Sequence, residues 1–372
     1  MRVQLRPGRG SGRPGEQGAA AIMIAILTVV FVSVLAFVTD FGMAYANKRV
    51  LQNGADAAAL AAAQEIAEVA PPTADCSAIE GSMEDSTRTV AEAYFAENGP
   101  SGDAGLAPGA TGYDVDCSSG RLLVEVATQQ NSPNFFGPIF GTEHADGIPL
   151  QASAKVAVAP PNAVIGVRPL AICSVDAEAL RDNDTQSRYI IYDNEALDPP
   201  LGCGSASGNW GLLNLDGGAN GTPELREWIE GGYDEEFGGT DTCEDADIEC
   251  TEGTPGFRNS LTGSLEFILG EKIVLPVFDS VSGSGSTAMY HVQGFISVQV
   301  CGWRLNGPAV TDVGEGLPDP CYDPTVEPAV EPRDDWFQLK YSNYVPSGDP
   351  TDLCELGNSA CDYGARVFRL AE

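Results

Sequence analysis

The sequence predicts an α+β chain: an N-terminal membrane-spanning long helix with a small sheet, followed by a disulfide-braced β-rich extracytoplasmic domain. Three observations predict it. Residues 19 to 38 run for twenty residues without a charge. An alanine-rich stretch continues the helix pattern from Thr39 to Ala70. Beyond it, short alternating runs broken by turn residues carry all ten cysteines.

The apolar run comes first because about 20 such residues in a helix cross the hydrocarbon of a bilayer. Ala19, Ile22, Ile26, Leu27, Val30, Phe31, Val34 and Phe37 make up the expected anchor. Arg2, Arg6, Arg9 and Arg13 precede it against one acid, Glu16. Short arginine-rich flanks stay in the cytoplasm. The expected plan is a single-pass cell-membrane protein with a cytoplasmic basic segment over residues 1–18 and a transmembrane helix over 19–41. A helical stalk with an α+β region then covers 42–160, and a β-rich domain outside the membrane covers 161–372. A cleaved signal peptide is the rival reading, since Ala44-Tyr45-Ala46 has the small-x-small form of a cut site. The apolar run is longer than a usual signal core, and that triplet sits inside continuous helix pattern, which favours an uncleaved anchor.

Composition bounds the partners. The 372 residues suffice for two ordinary domains. Net charge is −33, and the part beyond the apolar run holds 16 basic residues against 52 acids, a balance of −36. Such a surface repels nucleic acid, so no nucleic-acid partner is expected. Cys76, Cys117, Cys173, Cys203, Cys243, Cys250, Cys301, Cys321, Cys354 and Cys361 follow an export signal and read as a disulfide set. Zinc would need closely paired ligands, and the chain has no C-x-x-C and two histidines. Cys243/Cys250 and Cys354/Cys361 each enclose six residues, which suits local bridges, and Cys76/Cys117 share the first outer segment. The pairing of the others stays open.

Along the chain, the alanine run extends the membrane helix as a stalk until Pro71-Pro72, with Gly42 and Gly54 as soft spots. Gln52 and Asp56 share one helix face and read as a solvated stripe or a partner contact. Residues 84–97 predict a second amphipathic helix ended by Asn98-Gly99-Pro100. Arg121 to Thr128 and Leu150 to Ala159 alternate like half-buried strands, giving a small sheet able to lie on the helix. After Pro160-Pro161, strands are expected at Leu170–Val175, Arg188–Tyr192, Trp210–Leu215, Ile273–Phe278, His291–Trp303, Trp336–Val345 and Ala365–Leu370. A helix is expected at Pro223–Glu230 with Thr222 as its N-cap, and another at Ser260–Leu269. Residues 306–335, rich in proline and acid, suit a projecting insertion.

Chemistry is sparse. There is no Gly-x-Ser-x-Gly elbow and no phosphate-cradling glycine loop. His144 falls in a loop and His291 on the polar side of a strand, where each reads as a solvated or hydrogen-bonded side chain; no catalytic residue is expected. Asp241, Glu244, Asp245, Asp247 and Glu249 offer oxygen ligands of the kind calcium takes, yet not at EF-hand spacing, and acidic loops are commonly just hydrated. The run from Asp216 to Gly221 is explained by turn chemistry. Ala21 and Ala25 form a lone small-x-x-x-small pair in the apolar run. No cofactor and no small-molecule substrate is expected, calcium remaining the one open ligand.

The N-terminal residues carry a resemblance. Glu16-Gln17-Gly18, an apolar span, Asp40-Phe41-Gly42, and then Gln52 to Asp56 leading into Ala57-Ala58-Ala59-Leu60-Ala61-Ala62-Ala63 resemble the start of TadG-like proteins of the TadE/TadG group, which assemble Flp (tight adherence) pili. Gly18, Asp40, Gly42, Gln52, Asp56 and Leu60 occupy the matching positions. Phe135-Phe136 to Phe140-Gly141, followed by Ala152 and Ala154, is similar to the end of the pilin-like part in that group. The resemblance implies a pilin-like α+β region after the anchor, no enzymatic activity, and contacts with the bilayer and with other pilus-assembly or envelope proteins. Two features depart from it. Met23 stands where a processed pseudopilin carries glutamate, and the Asp-x-Ser-x-Ser metal motif of larger members is missing. The alternative is a surface-displayed acidic adhesin or calcium-binding module.

Overall fold

The computed structural model describes residues 14–109, 112–137, 147–192, 203, 210–218, 221–238, 250–311, 321–326, 334–350 and 354–371. Helix α1, Pro14–Val69, runs unbroken for 56 residues, about 84 Å at 1.5 Å per residue. Anchor and stalk are therefore one rod. Its end comes where Pro71 and Pro72 cannot continue the hydrogen-bond ladder. Helix α2, Cys76–Asn98, starts earlier than its amphipathic core suggested, because Asp75 Oδ1 accepts from the Ala78 N–H at 2.7 Å and caps it. Ile79, Met83, Thr87, Ala91 and Phe95 recur every four residues and face α1 and the sheet.

Strands β1 (Gly105–Leu106), β2 (Tyr113–Ser118), β3 (Arg121–Ser132) and β4 (Ile148–Ala159) form an antiparallel sheet. Leu122, Val124 and Val126 of β3 alternate inward with Ala152, Ala154, Val156 and Val158 of β4. They meet Leu51, Ala55, Ala58, Ala59, Ala62, Ala63 and Ile66 of α1 in one core. Alanines on both surfaces let helix and sheet approach closely, which explains how a helix face made mostly of alanine is buried.

After Pro160 the chain enters β5, Pro161–Ile165, and then β6, Leu170–Cys173. The strand expected through Val175 stops at Cys173, and α3, Ser174–Asp182, follows directly. Its buried positions Ala177, Leu180 and Arg181 repeat at helical spacing, a signal obscured by the apolar run before it. The rest comprises β7 (Ser187–Ile191), β8 (Trp210–Leu213), α4 (Thr222–Gly231), β9 (Glu236–Gly238), β10 (Cys250–Pro255), the short α5 (Thr262–Leu265), β11 (Lys272–Ser282), β12 (Ala288–Arg304), β13 (Trp336–Tyr341), β14 (Gly348–Pro350) and β15 (Val367–Leu370). Two helix expectations need correction. The N-cap of α4 is Gly221, whose N–H donates to Glu224 Oε2 at 3.4 Å, not Thr222. The helix expected over Ser260–Leu269 shrinks to a 3-10 turn and the single turn of α5, and the chain reverses at Gly270 with positive φ.

Strands β6, β8, β10, β12 and β11 pair in a closed ring, with β6 and β11 its one parallel pair. Strand β12 is long enough to serve two neighbours along one edge: β10 pairs with its first residues and β13 with its last, and β7 then adds outside β13. Trp210, Phe278, Tyr290, Ile296 and Phe337 lie in the core of this unit. Strand β5 makes a small separate sheet with β14 and β9. The last strand, β15, returns to pair with β4, so the β-rich part both leaves from and comes back to the sheet that lies on α1.

Disulfides join Cys76 to Cys117, Cys173 to Cys203, Cys301 to Cys321, and Cys354 to Cys361. Cys243, and with it the Cys243/Cys250 expectation, lies outside the described residues. The insertion at 306–335 is held at points along its length. Val310 bridges to Trp303, Cys321 bonds Cys301, and the Asp323 N–H donates to Gln338 Oε1 at 2.9 Å.

Candidate functional site

Just before the midpoint of α1, an exposed apolar rod becomes a buried one, and the residues that make this change form the site. From Ala20 to Leu35 every residue is exposed, in a helix whose most apolar window has a mean hydropathy of 3.0. Among the named anchor positions, Ile22, Ile26, Leu27, Val30, Phe31, Val34 and Phe37 all face outward; Ala19 and Gly18 lie in the helix. An exposed apolar face of this size in water is unfavourable, and a bilayer relieves it.

Burial begins at Ala36, 4% exposed, and Asp40, 8% exposed. The Asp40 carboxylate is fully engaged: Oδ1 accepts from the Phe135 N–H at 2.9 Å and Oδ2 from the Phe136 N–H at 3.1 Å. Further up the helix, Asn47 Nδ2 donates to Ser132 Oγ at 2.8 Å and Lys48 Nζ donates to the Gln151 carbonyl. Gln52 Nε2 donates both to Asp56 Oδ1 at 2.9 Å and to the Ser153 carbonyl at 2.8 Å. The Gln52/Asp56 face is thus not a solvated stripe. It ties the helix to β4. Gly54 is no soft spot either: a Cβ there would sit 2.7 Å from Gly99 Cα and 2.9 Å from the Phe95 ring, so glycine is what lets α2 cross α1. Gly42 has open space around it, and Leu60 is half-buried against the core.

The far end of the helix is clamped as well. Arg366, 2% exposed, donates from Nη1 to the Ala70 carbonyl at 3.2 Å and from Nη2 to the Pro71 carbonyl at 2.7 Å. Asn343 Nδ2 donates to the Glu68 carbonyl at 2.6 Å. A cation at the C-terminal end of a helix satisfies orphan carbonyls and opposes the helix dipole. Asp362 faces Arg366 and accepts from the Gly357 and Gly364 N–H groups, both at 2.8 Å. Burial pushes its carboxyl above the usual range, against the opposing pull of Arg366 and these two bonds. Neither Arg366 nor Asn343 stood out in the sequence; isolated polar residues in strand-rich stretches carry no signal for a helix end almost 300 positions away.

Sequence-marked polar groups elsewhere form internal contacts. His291 Nδ1 lies 2.5 Å from Asp279 Oδ1, while Gln293 Nε2 donates to Asp279 Oδ2 at 2.6 Å and Ser280 Oγ to Oδ1 at 2.9 Å. The serine bonds the carboxylate and not the imidazole, so the three do not form the relay a serine nucleophile requires. Asp216 Oδ1 accepts from the Gly218 N–H at 2.7 Å, an Asx turn, as turn chemistry suggested. His144 and the acids from Asp241 to Glu249 lie outside the described residues.

The fold and the collar around Asp40 to Asp56 define a membrane protein with an α+β body built directly on its anchor helix, the one helix among the described residues that is long and apolar enough to cross a bilayer. A family model of Flp pilus-assembly TadE/G-like proteins matches residues 18–65. Over those residues the chain is similar to that family, and the match covers both the apolar span and the collar in which Asp40, Gln52, Gly54 and Asp56 act. No curated protein and no solved structure matches the chain significantly.

Proposed function

We propose that this protein is a membrane-anchored, non-enzymatic envelope protein that assists the assembly or anchoring of a Flp/Tad-type pilus. The observation that carries the reading is the TadE/G-like segment itself, residues 18–65, which is one continuous helix exposed in its apolar half and locked to the body in the other. A rod fixed this way transmits position: whatever the body holds stays at a set distance from the bilayer. The four arginines before the span support a cytoplasmic N-terminus, and the disulfides support an oxidising space for the body beyond. Its partners are the bilayer and other pilus-assembly or envelope proteins, met by the acidic outer surface.

The test is a clean deletion with complementation. Surface pili and adherence fall on deletion and return with the full-length gene; unchanged pili and adherence overturn the reading. Fractionation adds a second check, since the protein pellets with membranes and its body is digested by protease added to spheroplasts.

A further inference from the structure

The β3–β4 hairpin brings a second part of the chain to the edge of the apolar span. Asp40 lies two residues beyond Val38, about 3 Å up the helix, and helical side chains lean toward the N-terminus, back toward the span. Its carboxylate holds the main chain of Phe135 and Phe136 at that level. Ala36 sits inside the apolar run yet is covered, whereas Ala21 and Ala25 further down are exposed, so protein reaches the helix at the depth of its last apolar turn. The Phe135 side chain nonetheless points outward, 60% exposed. On the helix, the Phe37 and Phe41 rings pack at a tilt with centroids 4.2 Å apart, and Tyr45 follows one turn later, 68% exposed. The next charged residues up the helix, Lys48 and Arg49, are exposed and cationic, the sign that lipid phosphates attract.

We propose that the Asn134–Gly137 turn is a lipid contact in its own right, in which Phe135, together with Phe41 and Tyr45, occupies the interfacial layer of the bilayer and sets the depth and tilt of the span. Aromatic rings concentrate at that layer, and the exposed ones here are continuous with the span's lipid-facing surface. The turn is fixed by a buried carboxylate, so its depth follows that of the helix. This inference rests on the membrane reading above.

The test uses the full chain in nanodiscs of phospholipid brominated near the headgroup end of the acyl chain, with unbrominated discs as reference. The four native tryptophans are buried in the β-rich core and give a constant background. Phe135→Trp and Tyr45→Trp are expected to lose their added emission in brominated discs, as is Phe31→Trp in the span. Tyr94→Trp, on α2 near the level of Gly54, is expected to keep it. Quenching of F31W without quenching of F135W and Y45W overturns this inference and leaves the anchor intact. No quenching at any of the three overturns both, and equal quenching of Y94W overturns the interfacial placement.

Discussion

Arg366 donates to the main-chain oxygen of Pro71 at 2.7 Å, joining the approach to the last strand to the end of the first helix. The bond makes the body a closed loop on its rod: the chain departs from α1 at Pro71 and is fastened to the same point when it returns. Asn343 reinforces the junction through Glu68, and β15 continues it through its pairing with β4.

Arg366→Met therefore removes a buried cation that serves two carbonyls and leaves Asp362 facing an apolar side chain. Removing one partner of a buried charged network costs about 3 kcal/mol. The expected outcome is a fall of that size in unfolding free energy by denaturant titration of the detergent-solubilised protein. Arg366→Lys recovers part of it, since one ammonium cannot reproduce the forked geometry.

Gly42 and Gly54 of α1 are expected to respond with opposite signs to alanine. At Gly54 the new methyl collides with Gly99 and Phe95, and overpacking of about 1–3 kcal/mol outweighs a helix-propensity gain of about 1 kcal/mol. At Gly42 nothing lies within 4 Å, so only the propensity gain remains. Thermal melts of G54A and G42A beside the parent check this; equal shifts would contradict the packing argument.

Asp40→Ala leaves the Phe135 and Phe136 amides without their acceptors. Each lost bond to a charged group is worth about 1.5–3 kcal/mol, so exchange at those amides is expected to rise by about tenfold or more. Asp40→Asn keeps one acceptor oxygen and falls between. Hydrogen-exchange mass spectrometry over the β3–β4 hairpin reads the effect.

Alkaline pH loosens the contact between α2 and the first sheet. Tyr113 is fully buried, and burial pushes its phenol from 10.0 up to about 12, only partly offset by its 2.5 Å bond to Thr87 Oγ1. A pKa raised in the folded state means the contribution to stability is complete below pH 10 and is lost as pH rises through about 12. Tyr113→Phe removes this component, so the difference in unfolding midpoint between Y113F and the parent changes between pH 10 and 12 and is flat below.

Much of the site was legible as a pattern before its contacts were known. Asp40, Gln52 and Asp56 are polar positions set into an apolar and then alanine-rich helix, and that contrast singles them out. What they touch was not legible. Gln52 faces Ser153 and Asp40 faces Phe135 only because the β3–β4 hairpin lies along α1, and sheet register against a helix depends on residues about a hundred positions apart. Gly54 read as a weakness for the same reason: propensity is local, whereas its cause, the crossing of α2 at Gly99, is not. Strand β12 followed from alternation, but the start of α3 was hidden because Leu170–Val175 is apolar except for Ser174 and period cannot separate strand from helix in so short a run.

By itself the sequence determined the length of the apolar span, the continuity of the helix to Pro71 and the acidic character of the body, because each is a sum or a period along the chain. Tertiary structure alone decided which face of α1 is covered, how Cys173 and Cys301 find their partners, that five strands close into a ring, and that Arg366 caps the carbonyls at the helix end. Those features depend on which distant segments meet, and burial, not local preference, supplies the free energy that selects the meeting.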